Sequence, residues 1–94
     1  MNLINILHIH MLTDISLTNQ KFSEKELKEN IHNLSLRKIV LTQHLTADFV
    51  VKYILNENFH TCTEDSYIDI YFVLQEQKHL TFEEISTLLN KCNS

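Results

Sequence analysis

Apolar residues recur at helical spacing in four stretches of this chain. Leu27 and Ile31 form the first pair, Leu36, Ile39 and Val40 the second set, Phe49, Val50, Tyr53 and Ile54 the third, and Phe82, Ile85, Leu88 and Leu89 the fourth. Each recurs one turn apart, which places the apolar residues on one side of an amphipathic helix. Start signals precede all four. Ser23 and Glu26 have capping-box spacing, with Phe22 at the staple position opposite Leu27, and Thr81 and Glu84 repeat the box. Ser35 and Thr46 stand where N-caps belong, and Asp48 falls in the positive first turn of the third helix. Asn33 is the expected end of the first helix, which could begin as early as Thr18, because asparagine tolerates a left-handed backbone. The third helix is expected to stop near Asn56 to Asn58, and Lys91 complements the end of the last.

Two segments resist this reading. Residues 67–74 alternate like a strand at Ile68, Ile70, Phe72 and Leu74, and are rich in β-branched and aromatic residues. As a helix they are apolar nearly all round, yet the acidic start at Glu64 and Asp65 and the polar continuation after Leu74 favour a helix opening near Thr63. Tyr67, Tyr71 and Phe72 are assigned to the core. Residues 2–12 are apolar without a decisive period, and serve as a short strand, a helical turn or a docked tail. Residues 57–65 read as a loop. The face of residues 24–29, alternating Glu and Lys, is expected to be solvated.

Composition changes the picture at the turns. The chain has no glycine and no proline, the main punctuation of turns. Alanine and arginine each appear once, while Ile, Asn, Lys and Leu abound. Codon bias in an AT-rich genome accounts for most of this. The structural consequence remains: primed hairpin turns are hard to build, and short polar links between helices are favoured. The 94 residues support one domain with a modest core. A net charge of −4 argues against a dedicated non-specific nucleic-acid binder. Cys62 and Cys92 sit in no metal-binding spacing and read as free thiols in a reducing cytoplasm. His8 and His10, two apart, lack a third placed ligand, and His60 beside Cys62 does not make a catalytic dyad. His32 and His79 fit helix C-termini. No catalytic residue, cofactor or metal is expected, and no segment is long enough to span a membrane.

Function enters with the second and third helices, residues 35–43 and 47–55, joined by a short turn. That is the layout of a helix-turn-helix, locked by Ile39, Val40, Leu45, Val50 and Ile54 at fixed offsets. With Ser16-Leu17-Thr18, Glu26-Leu27-Lys28-Glu29-Asn30 and a further helix over 65–77, the stretch 16–80 resembles a small, poorly characterised family of bacterial helix-turn-helix proteins with a lambda-repressor-like fold. It covers about two thirds of the chain. The resemblance implies an all-helical fold, a helical 67–74 and a transcription-related role. The chain departs from the pattern at His44, where the turn normally has glycine, and at Gln43, which replaces a core leucine.

The expected architecture is all-α: four to five short helices around a helix-turn-helix core (residues 16–94), with an apolar N-terminal extension (residues 1–15). The expected function is a cytoplasmic DNA-binding transcriptional regulator. Thr46, Ala47, Asp48, Val51 and Lys52 would face the major groove, and Arg37 and Lys38 would lie nearby. Asp48 and Val51 are poor partners for phosphates and base edges. The alternative is a non-enzymatic protein-interaction or regulatory module that keeps the helix packing without DNA affinity. Apolar excess in residues 2–12, 67–74 and 82–89 suggests a homodimer interface.

Overall fold

The computed structural model describes residues 12–92, so the reading of residues 2–11 and of the His8/His10 pair lies outside the described residues. The fold is all-α. Among the described residues six short helices run in order: α1 (Asp14–Asn19), α2 (Glu24–Glu29), α3 (Leu36–Thr42), α4 (Ala47–Phe49), α5 (Ile70–Glu76) and α6 (Phe82–Cys92). α4 runs directly into a π-helical turn, Val50–Ile54, closed by the Leu55 amide donating to the Val50 carbonyl at 2.9 Å. Three 3₁₀ turns, Ile31–Asn33, Glu57–Phe59 and Thr63–Tyr67, complete the links.

The starts follow the local signals. Ser23 accepts from the Glu26 amide, and the Glu26 carboxylate accepts from the Ser23 amide in return. Ser35, Thr46 and Thr81 accept from the amides three residues on. Two boundaries differ from expectation. The first helix is two: α1 carries its own capping pair, Thr13 and Ser16, and begins before residue 16. Leu12, within the expected extension, lies in the core. α2 stops at Glu29, and Asn30 caps it with a φ of −113°, so Asn33 does not end it through a left-handed residue. Asn30 is held inside instead, donating to the Glu26 carbonyl and accepting from the Leu12 amide.

Residues 67–74 split at Asp69, which caps α5 by accepting from the Phe72 amide. Ahead of it lies a 3₁₀ turn, so the α-helix opens at Ile70 and not near Thr63. Ile68 and Val73 enter the core, and Ile70, Phe72 and Leu74 lie half-buried against it. Tyr67 and Tyr71, expected in the core, are 74% and 68% exposed. An apolar, nearly stripe-free segment faces both ways because only one side of α5 meets α3 and α6.

A single core joins Leu17, Leu27, Leu36, Ile39, Leu45, Val50, Ile54, Val73 and Ile85, each almost fully enclosed. α3 packs against α1 and α5, and α6 packs against α4 and its π turn.

The turn between α3 and α4 is made without a left-handed residue: among the described residues no φ is positive. Gln43 leaves α3 in extended conformation, φ −112° and ψ 155°. His44 therefore needs no glycine. Its ring stacks on His79 with centroids 3.8 Å apart and planes 16° apart. Substituting His44→Gly should lower stability by about 1 kcal/mol, since glycine adds unfolded-state entropy and removes the stack. A rise in thermal midpoint would show a positive-φ turn instead.

Candidate functional site

The α3–α4 turn is built by two buried side-chain amides. Gln43, standing where a leucine was expected, is enclosed and satisfied. Its Nε2 donates to the carbonyls of Leu17 and Gln20, both at 3.1 Å, and its Oε1 accepts from the Phe22 amide at 2.7 Å. Gln77, at the end of α5, reaches the turn from the other side. Its Nε2 donates to the Val40 and Gln43 carbonyls at 2.7 and 2.6 Å, and its Oε1 accepts from the Leu45 amide at 2.9 Å. His79 Nε2 donates to the Leu45 carbonyl at 2.6 Å. The Lys21 ammonium donates to the Thr42 carbonyl, where a cation suits the helix C-terminus. Carbonyls at the end of α3 that a glycine-bearing motif would satisfy with backbone are thus satisfied by side chains.

α4 follows this turn and is enclosed around most of its circumference. Phe49, Val50 and Ile54 face the core, and Tyr53 packs on Phe49 and Phe59 with ring centroids 4.9 and 5.1 Å away. Ala47 and Val51, expected on the groove face, are buried, at 9% and 5% exposure. The reason is α6, which packs against both parts of this helix. Ala47 lies at the floor of a shallow groove shared with Glu83, Glu84, Thr87 and Leu88 of α6. The outward side keeps Asp48 and Lys52, and these pair with each other at 3.1 Å. Their combined charge is zero.

Thr46, the N-cap, is exposed but occupied. Its amide donates to one Glu24 carboxylate oxygen at 2.7 Å, and its hydroxyl donates to the other at 3.0 Å. The carboxylate of Glu24 therefore sits at the N-terminus of α4, where a DNA phosphate would be expected to bind in a helix-turn-helix. The expected solvated face of α2 is corrected at this residue. Arg37 and Lys38 are exposed on α3. Arg37 lies over the Phe72 ring of α5, 4.9 Å from its centroid. Lys38 lines a polar pocket with Asp14, His32, Cys62, Glu64 and Asp65.

Of the seven residues expected to meet DNA, then, five remain accessible: Arg37, Lys38, Thr46, Asp48 and Lys52. Glu24 is the influential residue that sequence reasoning placed on the wrong surface. Its spacing from Thr46 carries no local signal, so only the fold brings them together.

In the pocket beside Lys38, Asp65 is buried and accepts from the Thr61 amide at 2.8 Å, and Cys62 is an exposed free thiol. His32 stacks on Phe59, with centroids 5.7 Å apart, and His60 Nε2 donates to the Ile54 carbonyl at 3.1 Å. Both rings thus have structural partners. Among the described residues no group of three His, Cys, Asp or Glu side chains is placed to hold a metal ion, and no helix is long and apolar enough to cross a membrane.

Comparison with protein-family models, with curated proteins and with solved structures finds no match.

Proposed function

We propose that this chain is a non-enzymatic protein-interaction module that keeps a helix-turn-helix packing without using it on DNA. The observation that carries this reading is the Glu24 carboxylate on Thr46, at the start of α4. A helix N-terminus attracts an anion by roughly 0.3–1 kcal/mol. A phosphate about 4 Å from a carboxylate is repelled by about 1 kcal/mol in bulk water, and about 4 kcal/mol at the effective dielectric of a protein surface. The repulsion outweighs the attraction. The enclosure of Ala47 and Val51 and the internal pairing of Asp48 with Lys52 act in the same direction, because they withdraw contacts from base edges and phosphates.

The rival reading is a DNA-binding regulator that uses Arg37, Lys38 and Lys52. Retention on a column of generic duplex DNA at low salt separates the two. The module should elute without retention, and its elution should not change with salt. Retention that falls steeply with salt, and that Arg37→Glu with Lys52→Glu abolishes, would overturn the module reading and restore the regulator.

A further inference from the structure

The α3–α4 turn is tied to the link between α5 and α6 from both sides of Leu45. Gln77 Oε1 accepts from the Leu45 amide at 2.9 Å, and His79 Nε2 donates to the Leu45 carbonyl at 2.6 Å. A further tie is the face-to-face stack of His79 on His44, with ring centroids 3.8 Å apart and planes 16° apart. Both histidines are exposed, so protons reach them from solvent. The elements that meet here also carry other charges. Lys21 and Glu24, from the α1–α2 side, are engaged on the Thr42 carbonyl and on Thr46. Glu76 and Lys78 flank Gln77 and are exposed. Glu83 and Glu84 open α6, and the Glu84 carboxylate accepts from the Thr81 hydroxyl. Among the described residues no carboxylate forms an ion pair with either imidazole. The two rings therefore face each other without a counter-ion.

We propose that the His44–His79 stack is an acid-sensitive latch between the α3–α4 turn and the α5–α6 link, closed while at most one ring is protonated and opened when both are. Histidine is the side chain whose charge ordinarily changes near neutral pH, and paired histidines act as switches by this chemistry. The bond to Leu45 uses the Nε2 proton of His79, so a second proton enters at Nδ1 and leaves that bond intact. One charged ring over one neutral ring is attracted to its face. Two charged rings repel, and at this separation the repulsion amounts to roughly a fivefold shift in the equilibrium even at the dielectric of water. Nothing paired with either ring cancels the second charge. His79 is pinned to the Leu45 carbonyl, and His44 precedes Leu45 directly. The backbone to which both rings are tied is thus the same, and parting the rings pulls the link away from the turn. The latch contributes its stability fully above the ordinary histidine value of about 6.5 and loses it as pH falls below. It goes beyond the reading of the chain as an interaction module and holds whichever partner the module takes.

The test compares the wild-type chain with His44→Phe, which keeps a ring for the stack and takes no proton. The Leu45 amide reports on the latch, because it is bonded to Gln77 and is freed when the link withdraws. Its hydrogen exchange, corrected for the intrinsic effect of pH, should quicken about fivefold or more in the wild-type chain between about pH 7.5 and about pH 5, and should not do so in His44→Phe. His32 and His60 titrate in both chains, so their contribution cancels in the comparison. Nuclear Overhauser contacts between the His44 and His79 rings should be present at the higher pH and absent at the lower. His44 is exposed, and an unchanged circular dichroism spectrum would confirm that the variant folds. If the variant does not fold, ring contacts and Leu45 exchange in the wild-type chain decide the matter between them. Equal acceleration of exchange in both chains would overturn the proposal, as would ring contacts that persist in acid. Loss of the ring contacts with Leu45 exchange unchanged would also overturn it, since the rings would then part without releasing the link.

Discussion

Gln77→Ala is expected to lower the unfolding free energy by roughly 3 kcal/mol or more, because each buried backbone group left unsatisfied costs about 1–3 kcal/mol. Three such groups depend on this side chain: the carbonyls of Val40 and Gln43 and the amide of Leu45. Gln77 is 4% exposed, so water does not readily replace it. For a domain of this size the thermal midpoint should fall by about 10–25 °C. Urea denaturation followed by circular dichroism measures it, and a loss below about 0.5 kcal/mol, the scale of an ordinary surface substitution, would show that the amide does not organise the turn.

The variant Gln77→Glu separates the donor role from mere shape. An ionised carboxylate would face two carbonyl oxygens and could donate to neither, while a protonated one donates once. Its folded-state pKa would be raised above the ordinary value of about 4.3. A raised value makes the contribution fully present below the unfolded pKa and lost as pH rises through the folded one. Measured against the wild-type chain at each pH, Gln77→Glu should therefore be least destabilised in acid. A penalty that does not vary with pH would contradict the hydrogen-bond assignment.

Val51→Lys is the second substitution with a large expected effect. On an exposed groove-reading face, lysine at this position would cost almost nothing and would add affinity for DNA. In this fold Val51 is 5% exposed and α6 packs on its π turn. The new ammonium must either be desolvated or push α6 aside. We expect a loss of roughly 2–4 kcal/mol, with α6 more open to hydrogen exchange than α3. A change within about 0.5 kcal/mol, typical of exposed positions, would return Val51 to the surface and with it the groove-facing reading.

These two positions show where local reasoning succeeds and where it stops. The caps at Ser23, Ser35, Thr46 and Thr81 were legible because a cap involves residues two or three apart, and the spacing alone carries the chemistry. The apolar rows of Leu36, Ile39 and Val40, and of Val50 and Ile54, were legible for the same reason and all enter the core. Residue 67 onward was harder, since a segment apolar on every side has no period that identifies its buried face. Tyr71 went outward because α5 meets its neighbours on one side, and Tyr67 lies ahead of α5 in a separate 3₁₀ turn.

The candidate site was legible as a pair of helices and not as a surface. Reading α4 as a groove-facing helix assumed one exposed side at Ala47, Asp48, Val51 and Lys52. An α6 some 35 residues later covers half of that side, and Glu24, 22 residues earlier, occupies its N-terminus. The turn at His44 shows the same division. His44 stands where the pattern has glycine, yet the turn is made without a positive φ, with amides from Gln43 and Gln77 taking the hydrogen bonds.

By itself the sequence determined that this chain makes short helices, where most of them begin, and which residues form the centre of the core. Those properties depend on contacts within one or two turns, and the spacing of residues along the chain records them. Only the tertiary structure decided which side of α4 is open, which carboxylate meets it, and which aromatics remain outside. Those outcomes depend on pairs separated by 11 to 37 residues, and side-chain chemistry at each position leaves the choice of distant partner open until the helices pack.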